Sequence, residues 1–318
     1  MTRRILVALT LAACFLPGLG AWNETGHRLI AAIAYDALTP QARARVDALL
    51  RQHPDYESIL TKNAPTDEAG KARAAFLTAS SWPDMIRSDP RFYDESRAGV
   101  QPTAQLPGFP SMASHPLWHY VDFNFSEDGT LIPPLEIPNA LGELPHLIEA
   151  VGAPTGTNEM LAAYSLPWLM HLTGDVHNPL HTVSRYSMSL PKGDRGGNDV
   201  WVRRSAEGSP VLNLHSFWDG LAGSDPSPAY VDARAAELAK EYTSRHAGLV
   251  AETHPETWVV EGFYNARTVA YTMGRANGTR ESPVGLSEEY ESISRFLAHE
   301  RIAAAGVRLA AVLNAKLR

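Results

Sequence analysis

Along most of the chain the hydrophobic positions recur at helical spacing. From His27, the apolar residues Ile30, Ile33, Ala34, Ala37 and Leu38 form one stripe, which predicts a first helix. Thr39-Pro40 supplies an N-cap and first-turn pair for a second helix carrying Val46, Leu49 and Leu50. Asn158 opens a long helix through Leu161, Trp168 and Leu172; Pro167 should kink it, because proline lacks an N–H and crowds the preceding turn. A further helix runs from about Pro255 through Trp258 to Ala270. The last begins near Ser287-Glu288 and carries Ile293, Phe296, Leu297, Ile302, Val307 and Leu313. Alternation at strand spacing is scarce, with Val200-Trp201-Val202 and Val211-Leu212 the best candidates. No internal repeat is present. The Pro- and Gly-rich stretches 101–116, 132–145 and 187–197 are predicted loops, long enough to shape a cleft.

Composition adds bounds to this mainly helical pattern. The chain has 318 residues, 44% hydrophobic and 20% charged, enough for a substantial core in one large domain or two small ones. Its net charge of -7 argues against a protein that packages nucleic acid through a broad basic surface. It does not exclude a nuclease whose metal ions supply the positive charge.

The N-terminus reads as a leader. Arg3 and Arg4 precede a nearly continuous apolar run from Ile5 to Leu19, and the small residues Gly20 and Ala21 lead into Trp22. That order is the pattern of a signal peptide cleaved after Ala21, giving a secreted or periplasmic protein. Loss of the two arginines takes the charge from -7 to -9. Leu11-Ala12-Ala13-Cys14 offers a competing lipoprotein site, at which Cys14 would be lipidated. Cys14 is the single cysteine, so the mature chain must stabilise itself by core packing or by metal.

Candidate chemistry lies in the histidines. His171 and Asp175 are four apart, as are His215 and Asp219, and on a helix each pair shares a face and can grip one cation. His181 follows His171 across Asn178-Pro179, a bend at the end of the same helix. Two such pairs beside further histidines point to metal. The His-Glu-x-x-His of common metalloproteases is missing: His299-Glu300 continues Arg301-Ile302-Ala303.

Taken together, Trp22-Asn-Glu-Thr-Gly26-His27, Ser81-Trp82-Pro83-Asp84, Trp118-His119-Tyr120, His171-x-x-Gly174-Asp175-x-x-x-Pro179-Leu180-His181, Gly196-Gly197-Asn198 and His215-x-x-Trp218-Asp219 occur in one order. In that order they resemble the zinc-dependent single-strand nucleases of the S1/P1 nuclease family, related in fold to bacterial zinc phospholipases C. The resemblance implies a leader over 1–21 and a nuclease domain over 22–318. It implies a mainly α, single-domain fold of phospholipase C/P1 nuclease type, with long loops and at most a small β element.

The resemblance also implies three zinc ions. Asp84, His119, His171 and Asp175 would hold one. Asp175 would bridge to a second, completed by His27 and by the amine and carbonyl of Trp22. His181, His215 and Asp219 would hold the third. Neutral imidazole and carboxylate are suitable zinc ligands, and bridging carboxylates make neighbouring cations tolerable. Ions so placed make a nucleophile of water near neutral pH and neutralise a leaving 3′ oxygen. Asp84 would also orient or deprotonate the attacking water, and Arg87 would clamp the phosphate. Tyr120 would stack on a base and Asp122 would bond its edge. Expected substrates are single-stranded DNA, RNA and 3′-nucleotides, cut to 5′-phosphorylated products by a monomeric enzyme. Two other readings stand beside this one: a phospholipase C acting on phospholipid head groups, and a zinc-binding protein without catalysis. His53, His115, His146, His246, His254 and His299 fall outside the pattern and read as surface or core residues. His177 lies within the motif segment without being implied as a ligand. Asn23-Glu-Thr25 and Asn277-Gly-Thr279 match the glycosylation sequon, and no sugar is expected at the first, beside the zinc ligands.

Overall fold

Local capping chemistry sets where most helices begin in the computed structural model, which describes residues 22–273 and 277–318. The expected leader, with Cys14, lies outside the described residues. The Asn23 side chain accepts from Gly26 N and starts α1 (Glu24–Asp36) ahead of the predicted stripe. Asn23 Nδ2 donates to the Gly223 carbonyl at 2.6 Å, so this sequon asparagine is used on both sides of its amide. Thr39 accepts from Ala42 N to start α2 (Pro40–Gln52), as predicted. A π-helical turn at Tyr56–Leu60 leads to α3 (Glu68–Ala79) and the short α4 (Trp82–Ile86). A 3-10 turn, Pro116–His119, precedes β1 (Phe123–Ser126).

The stretch 132–145, read as loop, is corrected at its end by α5 (Ala140–Val151). Asn139 caps it, and Pro145 is tolerated inside because Leu144, Leu147, Ile148 and Val151 bury one face. The next helix, α6 (Glu159–Asp175), is continuous through Pro167, and every residue from Ala162 to Asp175 is buried. Packing on all sides holds this central helix through a residue that disfavours it. After a 3-10 turn at Pro179–His181 come β2 (Val183–Tyr186), β3 (Trp201–Arg203), β4 (Val211–Asn213) and the short α7 (Leu214–Asp219). α8 (Pro228–Arg245), which the hydrophobic pattern did not suggest, buries only Val231, Ala235 and Leu238. α9 (Pro255–Thr268), β5 (Val284–Gly285) and α10 (Glu288–Lys316) complete the order. Ser287 caps α10, as predicted, but Ile293 and Phe296 are exposed. Its buried face is instead rich in small residues, with Gly306 against Ile33 of α1.

β1 and β2 are parallel, in the register Phe123↔Val183. β3 pairs antiparallel with β4 and parallel with β5. The first pairing matters for function. It sets the residues just before β1 beside those just before β2, and Val121 N donates to the His181 carbonyl at 2.8 Å.

Asp55 anchors the start of α4. It is buried, accepts from Trp82 Nε1 at 2.9 Å, and takes both terminal nitrogens of Arg91 at 2.7 and 3.0 Å. Burial raises its carboxyl, but the Arg91 and Trp82 hydrogen bonds outweigh that and hold it below the ordinary range. A carboxyl held low stabilises the fold above its unfolded pKa and stops doing so as pH falls through the folded value. Asp55→Ala should therefore lose about 2–3 kcal/mol at neutral pH in denaturant melts, and the gap to wild type should narrow below about pH 4.

Candidate metal centre

Six segments deliver the predicted ligands to one region. α1 carries His27, α4 carries Asp84, and the turn before β1 carries His119. α6 ends with His171 and Asp175 on one face, the turn before β2 carries His181, and α7 carries His215 and Asp219. Three clusters result: His27, His171 and Asp175; Asp84, His119 and His171; and His181, His215 and Asp219. Trp22 is fully buried beside them, its indole donating to the Gly174 carbonyl at 3.1 Å, and Asn23 N donates to the Asp219 carbonyl. Gly174 is dictated by contact. A Cβ there would lie 2.9 Å from His27 Nδ1.

Asp175 joins two clusters, one oxygen to each. Its Oδ1 lies 3.4 Å from His27 Nε2, while Oδ2 lies 3.2 Å from His119 Nδ1 and 3.4 Å from His171 Nε2. Asp84 Oδ1 is 3.7 Å from both His119 Nδ1 and His171 Nε2. Four atoms around a tetrahedral zinc are separated by about 3.3 Å. The observed separations bracket that value.

The hydrogen bonds fix which nitrogens are free to bind. His171 Nδ1 lies 2.7 Å from the Ser80 carbonyl, His181 Nδ1 2.7 Å from the His119 carbonyl, and His215 Nδ1 2.7 Å from the Gly196 carbonyl. A carbonyl only accepts, so each Nδ1 carries the proton and each Nε2 presents a lone pair. His181 Nε2 and His215 Nε2 then face each other at 2.9 Å as two lone pairs. That contact is repulsive without a cation between them. Asp175 has both oxygens, and His27 both ring nitrogens, buried without a hydrogen-bond partner, and a metal would satisfy the Asp175 oxygens and His27 Nε2, which faces Asp175. The residues present fit zinc.

Electrostatics agree. Burial, and then neighbouring histidines, lowers His27, His119 and His181 well below the usual imidazole range, while burial holds His215 down at about 4. All four are neutral near pH 7, as ligands must be. Burial, then Asp84 and Asp219, pushes Asp175 well above the carboxylate range against the pull of Arg87. Burial likewise raises Asp219 and Asp84. A cation would offset these costs. Three divalent ions would also outweigh the three aspartates and leave the centre positive in an acidic chain.

A cleft of about 390 Å³ opens beside the ligands, lined by His119, His181 and His215 together with Arg87, Tyr120, Asp122, Arg195 and Asn198. Arg87 and Asp84 are 3.5 Å apart. Tyr120 and Asp122 are half-buried. Burial, then Asp122 and Glu136, raises the Tyr120 hydroxyl to about 12. Burial, then Asp194 and Glu136, raises the Asp122 carboxyl to about 7. Asp122 can therefore donate or accept a hydrogen bond near neutrality.

His177 is not among the ligands. Its Nδ1 reaches the Thr173 carbonyl and its Nε2 accepts from Arg308. His115 stacks on Trp118, His53 packs edge-on to Trp82, and His246, His254 and His299 bond to Glu300, Glu252 and Arg234. The sequence reading missed Asn178, whose side chain donates to Asp219 Oδ1 at 2.9 Å and caps Leu180 N. It also missed the orienting carbonyls of Ser80 and Gly196. Asn178 and Gly196 lay within the quoted motifs, but a backbone carbonyl has no signature of its own. Asn277 bonds Arg185, Ser187 and Ser189, so the second sequon's amide is engaged as well.

The family model described as S1/P1 Nuclease matches residues 22–318. Endonuclease 1 of Arabidopsis thaliana is 24% identical over 336 aligned residues, covering 98% of this chain and 92% of that protein. Endonuclease 2 of the same plant is 31% identical over 165, covering 47% of this chain and 50% of that protein.

Proposed function

The chain belongs to the S1/P1 nuclease family and is a hydrolase of phosphodiester bonds, and from that premise we propose that it degrades RNA and single-stranded DNA to 5′-phosphorylated products. In this reading residues 22–318 are one nuclease domain, secreted or periplasmic after cleavage at Ala21, monomeric, and also active as a 3′-nucleotidase. One observation carries the choice of nucleotides: Tyr120 and Asp122 line the same cleft as His119, His181 and His215. A half-buried aromatic ring offers a stacking face to any base, which suits a splayed strand better than a duplex or a choline head group.

Three zinc ions complete the reading. Asp84, His119, His171 and Asp175 would hold the first; Asp175, His27 and the amine and carbonyl of a processed Trp22 would hold the second; His181, His215 and Asp219 would hold the third. When bound, zinc supplies Lewis acidity that activates water and neutralises charge on the departing 3′ oxygen. The chain's own residues do the positioning. Asp84, one-quarter exposed on its side chain, accepts or orients the proton of the attacking water. Arg87, one helical turn on, grips the phosphate oxygens. Tyr120 fixes the base plane, and Asp122 bonds the base edge. The Ser80, His119 and Gly196 carbonyls hold three imidazoles in the tautomer and orientation that ligation needs.

Tyr120→Ala separates recognition from chemistry. Stacking contributes about 1–3 kcal/mol per base, so kcat/KM for mononucleotides and single strands should fall roughly ten- to a hundredfold. Hydrolysis of bis-(para-nitrophenyl) phosphate, which lacks a base, should be nearly unchanged. Equal losses on both substrates would assign Tyr120 to the fold and remove the local argument for bases.

A further inference from the structure

Three successive residues, Arg195, Gly196 and Gly197, adopt φ of 53°, 62° and 81°. At Gly196 nothing but glycine fits, because a Cβ there would lie 2.3 Å from the Leu180 carbonyl oxygen. This turn serves the metal centre, since the Gly196 carbonyl orients His215. Arg195 is the exception. It is an L-residue with a long side chain in the left-handed region, where glycine would be unstrained. The backbone around it is over-determined. Arg195 N donates to Ser184 Oγ at 3.2 Å, and the Arg195 carbonyl accepts from Asn198 N and Asn198 Nδ2 at 3.3 and 2.8 Å. Glycine would make every one of these bonds, so they account for the backbone and not for the arginine. Strain kept where a permissive residue would serve points to function.

What the side chain gains is position. It lines the cleft with Arg87, Tyr120 and His215, and its charge acts on both Tyr120 and His215. Its side chain is 64% exposed. Asp199 accepts from its Nε and Nη2 at 2.9 and 2.7 Å, which steers the guanidinium and leaves the Nη1 end for a ligand. Arg87, 3.5 Å from Asp84, is the arginine assigned to the phosphate being cut, and Arg195 enters the same cleft from a different segment, the turn that supports His215.

Resting on the nuclease reading above, we propose that Arg195 contacts a neighbouring phosphate of the polynucleotide and so favours strands over mononucleotides. The zinc-loaded Arg195→Gly variant tests this. Its melting temperature should match or exceed that of wild type, because the turn is relieved of strain. KM for a short single-stranded oligodeoxynucleotide should rise about five- to tenfold, with kcat within about twofold. The slope of log kcat/KM against log salt should flatten by about 0.7, the loss of one single-strand phosphate contact. Turnover of a nucleoside 3′-monophosphate and of bis-(para-nitrophenyl) phosphate should be little changed, and Arg195→Lys should restore the salt slope. An unchanged KM and salt slope would overturn the proposal. So would an equal loss on the small esters, which would assign Arg195 to the His215 support instead. A wild-type enzyme that cleaves no single strand at all would overturn the nuclease reading itself.

Discussion

Asp175→Asn should lower turnover of every substrate by at least about a thousandfold. Each oxygen of Asp175 faces a different ligand cluster, and both are buried without a hydrogen-bond partner. Asparagine keeps the shape but replaces one oxygen with an N–H₂ group, which presents protons toward His27 or toward His119 and His171. It also removes the charge that lets two cations sit side by side. The loss should be equal on single strands, mononucleotides and bis-(para-nitrophenyl) phosphate, because the defect precedes any recognition of the base. Metal analysis of the variant should give fewer ions per chain than wild type. Full metal content with full activity would mean that Asp175 is not a bridge.

Chelation should lower the melting temperature by more than about 10 °C and abolish activity together. An ion present at about a thousand times its dissociation constant contributes about 4 kcal/mol, and each kcal/mol moves the midpoint of a chain this size by about 2–4 °C. Two clusters that share His171 would tie α1, α4, α6 and the turn before β1 together, and the third would tie the turn before β2 to α7, so removing the ions should loosen both parts of the site. Without them, the facing lone pairs of His181 and His215 repel, and buried carboxylates must take up protons. Zinc added back should restore both properties. A chelated protein that melts unchanged would make the metal peripheral.

The legible parts of this molecule were those with local signals. Thr39 and Ser287 announce helix starts because a capping hydroxyl acts within three residues. The pairs His171/Asp175 and His215/Asp219 could be read as shared faces because helical geometry fixes residues four apart. α5 was obscured by Pro145, whose local preference is overridden by the burial of Leu144 and Ile148. α8 was missed because only a narrow stripe of it is buried. The parallel β1–β2 pair joins residues about sixty apart, and no local pattern marks it. That pairing brings the turn carrying His119 against the turn carrying His181, so the joining of the clusters was open only to the family resemblance. Neither the pattern nor the resemblance pointed to Asp55, whose links to Trp82 and Arg91 span distant segments, or to the left-handed backbone at Arg195.

The most direct test of the central claim is an assay of one purified preparation on single-stranded DNA, RNA, duplex DNA and phosphatidylcholine. Each is measured as prepared, after chelation, and after zinc is restored. The account predicts that both single-stranded substrates are cut to 5′-phosphorylated products, that the duplex is cut far more slowly, and that activity disappears on chelation and returns with zinc. Hydrolysis of phosphatidylcholine with no cleavage of single strands, or single-strand cleavage that survives complete removal of metal, would contradict it.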